Sequence, residues 1–120
     1  GLKKLKNEIK KITKIIDEVI NYFMFHYKPF VAMTIDCKGD TFFISFVFKD
    51  LKLSDEEFDK IKSKFKLNRR VEIEDYYWQL VGDSENASEF TLVSLMSDEI
   101  QFSKDDESVY LTITRKKSKK

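Results

Sequence analysis

The chain has 120 residues, of which 42% are hydrophobic and 36% charged, and its net charge is +1. This length suits one domain, and the composition excludes a disordered, collagen-like or low-complexity chain. A single cysteine and a single histidine exclude most zinc sites, disulfide frameworks and multi-histidine active sites.

The first predicted element is an amphipathic helix over residues 2–27. Its apolar residues recur at alternating spacings of three and four and form a heptad seam. The seam consists of Leu2, Leu5, Ile9, Ile12, Ile16, Val19 and Phe23. The apolar stripe is narrow at first and then widens, so we expect residues 15–27 to pack on the domain and residues 2–14 to project and pair with another helix. Pro29 cannot continue a helix and sets its end near Tyr27.

A helix over residues 2–27 would be about 39 Å long, which exceeds the width of a domain of this size. Four large aliphatic side chains left in water would forfeit on the order of 1.5–3 kcal/mol each. The alternative interpretation is that the sheet continues under the whole helix or that its first turns fray.

A β-hairpin and a second helix follow. Residues 30–37 and 41–49 are rich in β-branched and aromatic side chains, which predicts two strands, and Gly39 supplies the positive φ of a tight turn. Ser54 begins a capping box that predicts a helix over residues 55–66.

The remainder of the chain predicts a four-stranded antiparallel meander, because turn-forming residues separate apolar runs. Its strands are expected at about 70–81, 89–96, 99–103 and 108–114. Residues 1–114 therefore form one α+β domain, with an antiparallel sheet of about six strands and both helices on one face. Residues 115–120 are expected to be a disordered basic tail.

Charge is distributed unevenly along the chain. Residues 1–14 and residues 115–120 each carry +5, residues 60–70 hold six bases and no acid, and residues 71–107 hold 11 acids and one lysine. Such segregation favours surfaces that meet phosphate or a charged partner, although solvated charges that neutralise each other in the fold give the same pattern.

No motif predicts catalysis. Cys37 and His26 form the one cysteine–histidine combination, without an evident orienting partner, and the acids around residues 99–103 do not have the spacing of a calcium loop. The three glycines stand apart from one another, so no phosphate loop is present. We therefore expect no enzyme activity, no cofactor and no metal site.

The sequence favours a non-catalytic protein–protein interaction or self-association module. The predicted contact residues are Leu2, Leu5, Ile9 and Ile12 of the helix, with Phe43 and Val47 as a second apolar patch. The partner is another protein or a second copy of the chain. No stretch approaches the roughly 18 apolar residues of a membrane span, and the unpaired cysteine favours an intracellular location, cytoplasmic or nuclear.

Two alternatives remain open. The first is a nucleic-acid-associated protein that uses the basic segment and the lysine tail. Its candidate contact residues are Lys62, Lys66, Arg69, Arg70, Lys116 and Lys117. The second is a ligand-sensing regulatory domain with a pocket between the sheet and the helices.

Overall fold

The computed structural model describes residues 1–66, 69, 71, 74 and 90–117. It has the predicted α+β architecture, a long N-terminal helix followed by an antiparallel sheet with further helices. In chain order the elements are α1 (Leu2–His26), β1 (Phe30–Lys38), β2 (Thr41–Lys49), α2 (Asp55–Lys62), α3 (Thr91–Met96), β3 (Glu99–Lys104) and β4 (Ser108–Lys116).

The sheet is antiparallel throughout, with the spatial order β1-β2-β4-β3. The β1–β2 hairpin closes where Lys38 pairs with Thr41, and Gly39 has a φ of +61° as its turn requires. Within the described residues the sheet has four strands, so the prediction of about six is wrong.

The two missing strands fall in the second half of the chain. The predicted strand 89–96 is replaced by α3, in which Leu92 to Met96 are all buried. An apolar run this short does not distinguish a buried strand from a buried helix by its periodicity. The predicted strand 70–81 falls mostly outside the described residues, and its described members Val71 and Glu74 are helical.

Local signals account for the ends of the first two helices. α1 ends at His26, where the N–H groups of Tyr27 and Lys28 both donate to the Phe23 carbonyl at 2.9 and 3.0 Å. α2 begins with the predicted capping box, in which the Glu57 N–H donates to Ser54 Oγ at 3.1 Å. It ends at Lys62, before the predicted residue 66, because the chain tightens there into 3₁₀-type bonds.

The core lies between the helices and one face of the sheet, here called the inner face. On β2 this face carries Phe42, Ile44, Phe46 and Phe48, all buried as the alternation predicts. Phe23 of α1 stacks on Phe48 with ring centroids 4.0 Å apart, and Phe58 of α2 stacks on Phe102 of β3 at 4.7 Å. Both helices therefore pack on the same face.

The last strand is longer than predicted. β4 continues to Lys116, and Arg115 is completely buried, so the proposed boundary of a basic tail at residue 115 is wrong. Arg115 occupies the next inward-facing position after Leu111 and Ile113, which explains why the strand extends through it. Residues 118–120 lie outside the described residues.

Candidate interaction surface

α1 faces the core with only part of the predicted heptad seam, together with residues outside that seam. Ile12, Ile15, Val19 and Phe23 are buried, and so are the charged residues Glu8 and Lys11. The helix therefore lies on the domain from Glu8 onward. Leu2, Leu5 and Ile9 remain 70%, 44% and 49% exposed, whereas Ile12 is only 5% exposed and belongs to the core.

A cluster of buried charges fixes this rotation of α1. Arg115 donates to Glu8 Oε2 through Nε at 3.1 Å and through Nη2 at 2.9 Å. Its Nη1 and Nη2 also donate to the two oxygens of Glu74 at 3.0 and 2.8 Å, and Nη1 donates to the Met96 carbonyl at 2.8 Å. Lys11 Nζ donates to Glu74 Oε2 at 2.9 Å. These contacts join α1, β4 and the region of Glu74 to one another.

The charges of this cluster compensate one another. Arg69 donates to Glu74 and to Asp98, so Glu8, Glu74 and Asp98 face Lys11, Arg69 and Arg115. We call these six residues the buried ion cluster. Asp98 is exposed at the edge of this cluster, whereas Glu8, Glu74, Lys11 and Arg115 are buried. Since each carboxylate is matched by a base, the buried members can stay ionised away from water.

This geometry shifts the pKa values of Glu74 and Arg115. Burial alone raises the pKa of Glu74, but the hydrogen bonds and charges of Arg115 and Lys11 outweigh it and lower the pKa to about 2. Burial likewise lowers the pKa of Arg115, and the carboxylates of Glu74 and Glu8 more than reverse this, so that the pKa lies above its usual value. Both groups are therefore charged at neutral pH.

The two flanks of α1 have different neighbours. On one flank, Glu18 accepts the N–H groups of Leu92 and Val93 of α3 at 3.2 and 3.0 Å, and Tyr22 packs on Phe90. Since successive helical residues are about 100° apart, Leu5 and Ile9 lie on the opposite flank. Phe90 also packs on Phe65, which in turn contacts Phe102 of β3. The flank with Glu18 and Tyr22 is therefore on the β3 side of the sheet, and the flank with Leu5 and Ile9 is on the β1 side.

The inner face of β1 is open. Met33 and Ile35 pair with Phe46 and Ile44, which places all four side chains on the same face of the sheet. Phe46 and Ile44 are buried, but Met33 and Ile35 are 41% and 49% exposed. No described element covers β1 as α1 covers β2.

The exposed apolar residues of the two elements lie on the same side of the sheet. We call them the α1–β1 surface, which consists of Leu2, Leu5, Ile9, Met33 and Ile35. Half-buried Ile16, Ile20 and Val31 pack against the core and connect this surface to it. Met33 and Ile35 were not among the predicted contact residues, although the parity that they share with Val31 along the first strand was the available signal.

The second predicted patch lies on the other side of the sheet. Phe43 and Val47 are half-buried on the outer face, where Val47 pairs with Tyr110 and Phe43 with Thr114. Ser45 and Thr112 between them are 3.2 Å apart and share a hydrogen bond. The outer face is thus mixed in polarity, and Phe43 and Val47 are not brought together with Leu2, Leu5 and Ile9.

The basic candidates do not form one group. Arg69 is engaged in the buried ion cluster, and Lys117 Nζ lies 5.4 Å from the ring centroid of Phe42. Lys62, Lys66 and Lys116 are exposed. Arg70 lies outside the described residues.

A cavity of about 490 Å³ lies beside the contact between α1 and α3. The described residues that line it are Lys14, Asp17, Glu18, Asn21, Tyr22, Phe25, His26, Phe90 and Leu92. Burial raises the pKa of Glu18 to about 6, although the backbone hydrogen bonds from Val93 and Leu92 lower it. The cavity lies between helices rather than between the sheet and the helices, where a ligand pocket was expected.

The two residues considered for nucleophilic chemistry have separate surroundings. His26 packs against Tyr22 and Phe25 at the end of α1. The Cys37 thiol is exposed at the hairpin, 3.7 Å from the Gly39 carbonyl oxygen. Across the described ranges, no three histidine, cysteine or acidic side chains are grouped as metal ligands.

None of the described helices combines the length and the apolar character needed to cross a bilayer. Comparison with known proteins gives no relative: no family model, no curated protein and no solved structure matches the chain.

Proposed function

We propose that this chain is a non-catalytic protein-interaction module that self-associates through the α1–β1 surface. The proposal is carried by the difference in exposure between the two strands of the hairpin. On the inner face, the side chains of β2 are buried, whereas Met33 and Ile35 of β1, which pair with them, are exposed to solvent. Apolar side chains on the core side of a sheet are normally covered by a second layer. A partner would supply that layer.

The energy available from this surface is adequate for association. Complete burial of a large aliphatic side chain is worth about 1.5–3 kcal/mol, so covering the exposed part of each residue would recover about 1 kcal/mol. Five such residues together would offset several kcal/mol of the entropic cost of association. Contiguous apolar patches of this kind are typical of interaction sites.

The two alternative functions have weaker support. A nucleic-acid interface would need Arg69, whose guanidinium is already bound to Glu74 and Asp98. A ligand-sensing role would use the cavity beside Glu18, whose carboxylate already accepts two backbone N–H groups.

Sedimentation equilibrium tests the proposal. The protein concentration should run from about 1 to 100 μM, which covers the dissociation constants expected of a weak dimer. We expect the wild-type mass to rise with concentration and the Ile9→Asp and Ile35→Asp variants to shift towards monomer. Lys10→Asp is the matched control, because Lys10 is exposed and lies about 100° around α1 from Ile9, outside the proposed surface. A wild-type protein that stays monomeric over this range refutes self-association.

A further inference from the structure

We infer that the partner at the α1–β1 surface is a second copy of this chain, which pairs through the free edge of β1 in an antiparallel register centred on Thr34. This inference rests on the proposed function and specifies how the two copies meet. In the described part of the chain, β1 pairs with β2 alone and forms one edge of the sheet.

The hairpin geometry shows which backbone groups are free. In a two-residue hairpin, the residues on either side of the turn form a hydrogen-bonded pair, here Lys38 and Thr41. Hydrogen-bonded and non-hydrogen-bonded pairs then alternate along the ladder, so the even-numbered residues of β1 bond to β2. On β2, the odd-numbered residues then bond to β1 and the even-numbered residues bond to β4. The Lys117 N–H donates to the carbonyl of the even-numbered Asp40 at 2.7 Å, which agrees with this pattern.

The odd-numbered residues of β1 therefore direct their N–H and C=O groups away from the sheet. These residues are Val31, Met33, Ile35 and Cys37, whose side chains lie on the inner face. An exposed strand edge of this length is a template for pairing with another strand. β3, the opposite edge, is shorter, with six residues against nine for β1.

An antiparallel two-fold centred on Thr34 pairs all of these free groups at once. It sets Met33 opposite Ile35 of the second copy and Val31 opposite Cys37, so apolar side chains of the two inner faces lie next to each other. The outward N–H and C=O groups of these residues are then all hydrogen-bonded. The two flanks of α1, with Leu5 and Ile9, then face each other across the paired strands.

The charges on and beside β1 favour the same register. Lys38 lies opposite Phe30 and Asp36 opposite Ala32, so no like charges face each other. Exposed Lys28, just before β1, falls opposite exposed Asp40 of the other copy, and the two-fold repeats this attraction. Moving the two-fold one residue towards the strand start, to Met33, would instead set Lys28 opposite Lys38. Opposite charges across a strand pair stabilise it, and like charges destabilise it.

The register can be tested by disulfide trapping. Thr34 is exposed and would form a non-hydrogen-bonded pair with itself, with Cα atoms about 4.5 Å apart, which is within the range of disulfides. We would introduce Thr34→Cys in a Cys37→Ser background and oxidise the protein with oxidised glutathione. The matched control is Ser103→Cys in the same background, because Ser103 is exposed on the opposite edge strand.

We expect a disulfide-linked dimer from Thr34→Cys and little from Ser103→Cys. We also expect Ile35→Lys to weaken self-association by roughly tenfold or more, since each copy would place a charge within the paired strands. Ile35 is half exposed, so the folded monomer should tolerate lysine, which a circular dichroism melt checks.

The possible failures are distinguishable. If wild type self-associates but Thr34→Cys links no better than Ser103→Cys, the β1 pairing is wrong while the proposed function stands. If wild type does not self-associate at all, both the pairing and the proposed function are overturned.

Discussion

Substitution of Arg115 by methionine tests the role of the buried ion cluster most directly. Methionine keeps much of the side-chain length and its apolar stem but removes the guanidinium. The change deletes five hydrogen bonds, two to Glu8, two to Glu74 and one to the Met96 carbonyl. It leaves the remaining cluster with three acids and two bases.

The expected cost follows from that imbalance. Removal of one member of a buried ionic network typically costs about 3–5 kcal/mol, because the remaining charge stays buried without compensation. A domain of this size has a total free energy of unfolding of about 5–15 kcal/mol. We therefore expect Arg115→Met to remove a large fraction of the stability and to lower the melting temperature by about 10–20 °C.

Urea denaturation followed by circular dichroism measures this loss. The matched control is Lys116→Met on the next residue of the same strand, which is exposed and should change the unfolding free energy by less than about 0.5 kcal/mol. Arg115→Lys keeps the charge but loses the forked geometry, so its cost should lie between the two. A loss below about 1 kcal/mol for Arg115→Met, with the fold retained, would refute the reasoning.

Three further predictions concern pH and local structure. The pKa of Glu74 is about 2 in the fold and ordinarily 4.5, so its contribution to stability is present above pH 4.5 and is lost as the pH falls towards 2. Urea denaturation at pH 7 and pH 3 should therefore differ by about 2 kcal/mol from this group, and Glu74→Gln should flatten the profile. The pKa of Glu18 is shifted the other way, from 4.5 to about 6, so the unfolded chain loses this proton at a lower pH than the folded protein does. The free energy of unfolding should therefore fall as the pH rises from 4.5 to about 6. Glu18→Gln should remove that slope, and an unchanged slope in the variant would contradict the prediction. Ser54→Ala should lower the free energy of unfolding by about 1 kcal/mol, because it removes the side-chain cap of α2. Thermal unfolding measures this, and an unchanged melting temperature would mean that the capping bond does not stabilise the protein in solution.

The elements that could be predicted from the sequence are those with strong local signals. The heptad spacing gave α1 to within one residue at its end, and Gly39 gave the hairpin turn. The serine and glutamate of the capping box gave the start of α2. In each case the chemistry that sets the structure lies within a few residues of the chain.

The errors arise where tertiary contacts decide. Residues 91–96 could be a strand or a helix by pattern alone, and their burial against α1 selects the helix. Glu8 and Lys11 look like solvated charges on a lysine-rich helix, and their burial depends on Arg115 at the other end of the chain. No local spacing connects residues so far apart.

The candidate surface was predictable only in part. Leu2, Leu5 and Ile9 follow from the heptad spacing, although Ile12, in the same seam, is in the core. The open face of β1 depends on the strand order, which places β4 rather than β1 in the interior of the sheet. The order of strands is a property of the whole fold, so the sequence pattern did not reveal it.

The contact between Glu8 and Arg115 spans 107 positions of the chain and has a consequence for biosynthesis. On the ribosome, the guanidinium that neutralises this carboxylate emerges only after nearly all of the domain has been made. Phe23 of α1 can pack on Phe48 as soon as β2 is made, but the contacts with α3 and β4 are formed last, so part of the apolar side of α1 stays uncovered while the later strands are translated. During that interval the nascent chain is exposed to aggregation, and a chaperone that shields α1 would raise the yield of folded protein.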